Sequence, residues 1–168
     1  ALRALRSLPT HAGLAAGWHS FYRGCHPSAY GDQVQVAVEQ LSGVVDPVAC
    51  RRVWLAATTS AWASGPVWFH GDVAVGNLLT TDGSLSALID FGTCGVGDPA
   101  CDLVMAWTYF DGDARDAFRT AVGLDDAAWR RARGWALWKA LVTVAGRSGS
   151  DLDEGQLRVL NEIVNHPL

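Results

Sequence analysis

Two aspartates and an asparagine, Asp72, Asn77 and Asp90, interrupt otherwise apolar runs between Val67 and Leu103. Asn77 follows Asp72 by five residues and Asp90 follows it by eighteen. With Asp82 and Gly83 at the centre of a turn, the flanking runs fold back as a hairpin that sets Asn77 opposite Leu88. Asp90 then lies two residues, about 7 Å, further along the same open end, where the loop residue Asp72 can join it. Two carboxylates and an amide oxygen form a hard donor set that suits Mg²⁺, with water and phosphate oxygens completing the shell, and does not suit a structural zinc. Asp72, in the loop rather than the strand pair, is the candidate general base for an incoming hydroxyl. Asn77 and Asp90 are the candidate ligands of a metal that bridges phosphates.

Each of these residues needs an element to hold it. Val67 to Phe69 is a short β-type run that delivers His70-Gly71-Asp72 to a loop. Asn77 to Thr80 and Leu85 to Ile89 are the hairpin strands, the second closing onto Asp90-Phe91-Gly92. Beyond the glycine-rich stretch 92–97, Asp98-Pro99 starts a helix that continues through Cys101 to Phe110. Upstream, apolar residues at helical spacing predict helices over 1–8, 32–41 and 47–62, with a loop-rich or short-helical segment over 7–30. Downstream, Trp135, Trp138, Leu141 and Ala145, then Leu157, Leu160 and Val164, predict two further amphipathic helices. Asp151, Asp153 and Glu154 mark the loop and start of the last one.

Composition narrows the classes. A chain of 168 residues, 49% hydrophobic, suffices for one compact domain over 1–168. The net charge of −4 gives no reason to expect a nucleic-acid partner, and Arg130, Arg131 and Arg133 read as a solvated helix face. Cys25, Cys50, Cys94 and Cys101 show no CxxC spacing and no secretory leader precedes them, so reduced thiols in the cytoplasm are expected. Apolar stretches are broken too early for a membrane span. His11, His19 and His26 lack the spacing of a metal site.

His70-Gly71-Asp72 with Asn77, Ile89-Asp90-Phe91-Gly92, and Gly97-Asp98-Pro99-Ala100-Cys101-Asp102-Leu103 occur in the order of the aminoglycoside phosphotransferase family, which the chain resembles from about Gly65 onward and more loosely before it. The resemblance implies a mainly helical α+β fold, the C-terminal lobe of a protein-kinase-like enzyme, with a small β-hairpin carrying the catalytic and metal residues. It implies Asp72 as catalytic aspartate and Asn77 and Asp90 as Mg²⁺ ligands, with ATP as phosphoryl donor and a small-molecule hydroxyl as acceptor. It also implies that Asp102 hydrogen-bonds the catalytic-loop backbone and that His70 supports the same loop. Val73, Ala74 and Val75 depart from the residues relatives carry there but touch no proposed ligand. No glycine-rich β-hairpin, strand lysine or GxxxxGK[ST] loop precedes the helices. The expectation is therefore that the family's N-terminal lobe lies outside these 168 residues, and that they bind nucleotide poorly alone.

Two other readings fit parts of the pattern. A metal-dependent phosphoesterase would use His70, Asp72, Asn77 and Asp90, but such sites take several histidines and only His166 follows His70. A non-catalytic binding module would keep the lobe without needing Asp72, Asn77 and Asp90 intact. For the acceptor, Asp111, Asp113 and Asp116 after Trp107, Tyr109 and Phe110 form either an acidic, aromatic rim for a cationic or polyhydroxylated ligand, or a solvated helix end above buried aromatics. Asp98 is either a helix N-cap or a substrate contact.

Overall fold

The computed structural model describes residues 1–146 and 154–165. Helices dominate it: α1 (Leu2–Arg6), α2 (Gly31–Gln40), α3 (Pro47–Thr58), α4 (Met105–Thr108), α5 (Gly112–Val122), α6 (Asp126–Val144) and α7 (Glu154–Asn165). Strands β1 (Val67–Phe69), β2 (Leu78–Thr81), β3 (Ser84–Leu88) and β4 (Gly95–Gly97) form two antiparallel two-stranded sheets, β1 with β4 and β2 with β3. The expectations over Asp151 and Asp153, and that on His166, fall outside the described residues.

Local chemistry sets the helix ends. Asp46 accepts from the amides of Val48 and Ala49 at 2.8 and 3.2 Å and Pro47 takes the first helical position, so α3 starts there. It stops at Thr58 rather than at the expected Trp62. The Thr58 and Thr59 hydroxyls donate back to the carbonyls of Trp54 and Leu55 at 2.9 and 2.8 Å, side-chain bonds that compete with the backbone ladder at the helix end. Asp125 caps α6 by accepting from Ala128 at 2.8 Å.

Helix α6 is the axis of the core. Trp135, Ala136, Leu137, Ala140 and Leu141 are buried along it against α3, α7 and the segment 99–103. Burying one such large side chain stabilises by about 1.5–3 kcal/mol, so this helix anchors whatever is mounted on it. Its crossing with α3 is close: a Cβ on Gly134 would stand 2.4 Å from the Ala57 methyl. Arg130 is exposed, but Arg131 is fully buried and Arg133 half-buried, which corrects the reading of all three as a solvated face. Burial is tolerated because each guanidinium has acceptors. Arg131 meets Asp98, and Arg133 donates through Nε to the Ile163 carbonyl at 2.7 Å, joining α6 to α7.

Two further expectations are corrected. The segment from Cys101 to Phe110 is not one helix: a 3-10 helix over Pro99–Leu103 precedes α4. The tighter winding lies where Asp102 reaches back toward the loop after β1. The hairpin register also differs. Leu78 pairs with Leu88 and Leu79 with Ala87, but Thr80 pairs with Leu85, so Ser86 is an extra, bulged residue whose hydroxyl donates to the Leu79 carbonyl at 3.0 Å. Asn77 therefore meets Ile89, which donates its amide to the Asn77 carbonyl at 2.9 Å, and not Leu88. The turn residues Asp82 and Gly83 both have positive φ, 51° and 76°, as a tight two-residue hairpin turn requires. No helix among the described residues is long and apolar enough to cross a membrane.

Candidate active site

The loop 70–77 leaves β1 and returns into β2, and three contacts hold its start. Asp102, 2% exposed, accepts from the amide of His70 through Oδ2 at 2.8 Å and from that of Gly71 through Oδ1 at 2.7 Å. Burial pushes the Asp102 carboxyl up from its ordinary value, against the pull of those two amides. The Thr93 hydroxyl donates to the His70 carbonyl at 3.2 Å. Gly71 has φ +90°, and a Cβ there would stand 2.6 Å from the Thr93 carbonyl oxygen, so only glycine fits.

The His70 ring is fully buried and edge-on to Phe91, with centroids 4.5 Å apart. Its Nδ1 faces the Asp72 amide at 3.2 Å and its Nε2 faces the Ile89 carbonyl at 2.9 Å. An amide can only donate and a carbonyl can only accept, which assigns the neutral Nε2–H tautomer. His70 thereby ties the loop of Asp72 to the residue preceding Asp90. Both ring nitrogens are committed, which removes His70 from the ligand set the phosphoesterase reading needs.

Asp72 is half-exposed. The Asn77 amide nitrogen donates to the Asp72 carbonyl at 2.9 Å and approaches its Oδ2 at 3.4 Å. This contact commits the Asn77 amide nitrogen and leaves its oxygen as the atom that could bind a cation. Asp90 has φ +62°, an uncommon conformation for a residue with a Cβ, and the Gly92 amide approaches its Oδ1 at 3.4 Å. Its exposed carboxylate sits directly after Ile89, whose amide is held by Asn77. Contacts thus run from Asp72 to Asn77 and from Asn77 to Ile89, the residue before Asp90. The donor set, two carboxylates and an amide oxygen with lone pairs to spare, fits a hard divalent cation.

On the other side of Asp72 stands a residue that the sequence did not single out. Lys139, on α6, approaches Asp72 Oδ1 with its Nζ at 3.4 Å, both side chains being about two-fifths exposed. A separation of 67 residues hides such a pair from any reading of local spacing. Arg23, Val104, Trp135 and Trp138 complete a narrow cleft with Asp72 and Lys139.

The remaining candidates lie elsewhere. Asp98 accepts from Ala100 at 3.1 Å as an N-cap, and its carboxylate is gripped by Arg131 through Nε at 2.6 Å and Nη2 at 3.3 Å. Arg131 also donates to Ser60 Oγ at 2.9 Å and to the Ala61 carbonyl at 3.0 Å. At 6% exposure Asp98 has no face left for a substrate, which corrects that alternative. Trp107 is 3% exposed and packs on Trp129, so it belongs to the core and forms no substrate rim. Asp111 is exposed at the start of α5, in a separate groove with Arg115, Arg158 and Glu162.

Known proteins share this fold. The family model described as "APH: Phosphotransferase enzyme family" matches residues 1–135. Among solved structures, the chain is similar to the ADP-bound aminoglycoside phosphotransferase APH(2'')-Ib, with a TM-score of 0.54 and 13% identity, over 98% of this chain and 59% of that one. It is also similar to APH(2")-IIa in its ternary complex with streptomycin and ATP, with a TM-score of 0.56 and 13% identity, over 97% of this chain and 60% of that one. The chain thus spans about three fifths of the length of these structures. No curated protein matches it. The chain belongs to the APH phosphotransferase enzyme family.

Proposed function

We propose that the protein carrying this chain is a small-molecule kinase, which transfers the γ-phosphoryl group of ATP to an acceptor hydroxyl with Mg²⁺ as cofactor. The chain would serve as a protein-kinase-like C-terminal lobe. The observation that carries the reading is the place of Asn77, bonded to the Asp72 loop on one side and to Ile89, the residue before Asp90, on the other. Asp72 accepts the proton of the acceptor hydroxyl as the new O–P bond forms and the bond to the β-phosphate oxygen breaks, releasing ADP. Asn77 and Asp90 would hold the metal, which when bound would offset charge on the phosphates. Asp102, Thr93 and His70 keep the loop in register with the metal pair, so Asp72 needs no reorganisation when substrate arrives. The family match and the nucleotides named in the two similar structures support this reading. Four free thiols fit a cytoplasmic setting.

The test uses the full gene product that carries these residues. Calorimetric titration with ATP is run with Mg²⁺ and with EDTA, beside Asp90→Ala and Asp72→Asn variants. Saturable Mg²⁺-dependent binding is expected, lost in Asp90→Ala and kept in Asp72→Asn. With an acceptor in hand, Asp72→Asn is expected to lower kcat by about 10²–10⁴-fold. Nucleotide binding that ignores both Mg²⁺ and Asp90→Ala would sink the assignment.

A further inference from the structure

Lys139 is the only lysine among the 168 residues; the other twelve strongly basic side chains are arginines. It stands at the candidate base, with its Nζ 3.4 Å from Asp72 Oδ1. Nothing inside the loop could take that place, because Val73, Ala74, Val75 and Gly76 carry no polar side chain. Asn77 reaches the other oxygen, its amide nitrogen lying 3.4 Å from Oδ2. Arg23, the second cation on the cleft, is turned to the Trp138 ring at 5.2 Å and to the Phe21 carbonyl at 3.4 Å. A pair whose partners are both about two-fifths exposed adds little to stability. Its effect lies in how Asp72 is held.

The two partners are mounted differently. Asp72 sits in a loop pinned before it, at His70 and Gly71, and after it, at Asn77. Lys139 rises from α6, where the neighbouring Trp135 and Trp138 are buried, Trp138 stacked on Tyr30 at 4.1 Å and donating its indole N–H to Gln33 at 3.0 Å. An ammonium carried by a core helix gives the loop carboxylate a rigid reference that its own backbone lacks. Size explains the residue type. The cleft between Arg23, Asp72, Trp138 and Lys139 has a volume of about 20 Å³, room for about one water. A compact ammonium fits beside Asp72 there, whereas a planar guanidinium needs more width.

We infer that Lys139 is a positioning residue for phosphoryl transfer, whose ammonium on Oδ1, opposite Asn77 on Oδ2, fixes the plane of the Asp72 carboxylate. In that orientation a remaining lone pair meets the proton of the acceptor hydroxyl. The inference rests on the kinase reading above and deepens it by naming the residue that sets the base. The hydroxyl oxygen bonds to phosphorus, its proton passes to Asp72 and ADP leaves, while Lys139 neither gains nor loses a proton.

The experiment uses the full gene product with water as the acceptor, so that ATP is hydrolysed to ADP and phosphate and ADP release is followed under saturating Mg²⁺-ATP. Lys139→Met keeps most of the side-chain length and removes the charge. It is expected to lower kcat by about tenfold, part of the roughly 10²–10⁴-fold that a general base supplies. KM for ATP should stay within about twofold and Tm within about 3 °C, as for any exposed pair. In an Asp72→Asn background the same substitution is expected to change kcat by less than about twofold, because the lysine acts through the carboxylate. Lys139→Arg should recover only part of the loss. Equal losses in both backgrounds overturn the inference, as do parent-like rates in Lys139→Met or full activity in Lys139→Arg. Where hydrolysis is too slow to follow, NMR of ¹³C-methylated amines decides. The Lys139 signal, assigned by its absence in Lys139→Arg, is expected to shift between the parent and Asp72→Asn, and an unchanged signal overturns the inference. Mg²⁺-ATP binding is titrated in the same samples beside Asp90→Ala, so loss of the kinase reading is seen separately.

Discussion

The buried ion pair between Arg131 and Asp98 gives the sharpest check on how this fold is held. Arg131 is wholly enclosed and Asp98 nearly so, and the two contacts at 2.6 and 3.3 Å form a bidentate grip. Asp98→Asn preserves the size of the side chain and can preserve the cap on Ala100, but it leaves the guanidinium with no counter-charge. Removing one partner of a buried pair costs about 3–5 kcal/mol because the other charge stays desolvated. For a chain of this size that is a fall in Tm of about 10 °C or more. Asp98→Ala should cost about 1 kcal/mol beyond that, the worth of the lost cap. Arg131→Met should be as damaging as Asp98→Asn, because it strands the carboxylate instead. The double variant Asp98→Asn with Arg131→Met should recover at least about 2 kcal/mol of the summed single losses, since no buried charge remains. Urea melts followed by tryptophan fluorescence measure all four, and raising the salt should change little because the pair is shielded from ions. If Asp98→Asn melts within about 0.5 kcal/mol of the parent, as an exposed substitution would, the pair does not hold the 99–103 segment against α6.

Asp102→Asn replaces an acceptor of two amides by a group with one acceptor and one donor, so one N–H of the 70–71 backbone loses its partner. A loss of about 1–3 kcal/mol by chemical denaturation is expected, with a larger fall in kcat than in nucleotide affinity. Because burial raises the Asp102 carboxyl, its contribution to stability is full below the ordinary carboxylate pKa and declines as pH rises through the folded value. The stability of the parent relative to Asp102→Asn should therefore decrease as pH rises above the ordinary carboxylate range, and an increase would contradict the burial effect. Gly71→Ala meets both a positive φ and the Thr93 carbonyl, so a loss of at least about 1–3 kcal/mol and of activity is expected, read from melts and ADP release. Burial raises the Cys50 thiol to about 11 and the Cys101 thiol well above its ordinary value. A thiol reagent at about pH 8 should label half-buried Cys94 in the native protein and reach Cys50 and Cys101 only on unfolding, as peptide mapping would show. Deleting Ser86 removes the bulge and lets the Thr80–Leu85 and Leu79–Ala87 pairs follow on directly, so the Asn77–Ile89 contact and Mg²⁺-dependent nucleotide binding should survive, whereas deleting the paired Ala87 should weaken that binding.

Local pattern was enough for much of this protein. The run Val67 to Phe69, the turn at Asp82-Gly83, the helix starts at Pro47 and Pro99, and the apolar stripe of α6 are all set by residues within a few positions of one another. The order and spacing of His70, Asp72, Asn77, Asp90 and Asp102 pointed to the family that the comparison then found. What local pattern missed has a common cause. Nothing in the neighbours of Arg131 says that it is buried, because its partner Asp98 is 33 residues away and its other acceptors, Ser60 and Ala61, are farther. Trp107 read as a rim residue because an aromatic next to acidic residues looks the same in sequence whether it faces solvent or the core. The bulge at Ser86 depends on pairing across two strands, which composition does not encode. Lys139 and Arg23 meet around Asp72 only when α6 and the 18–30 segment pack on the loop 70–77. The candidate site residues could therefore be picked from sequence, because the proposed chemistry constrains their types at fixed local spacing. The cleft beside them was assembled by tertiary packing, which brings together side chains that no local rule relates.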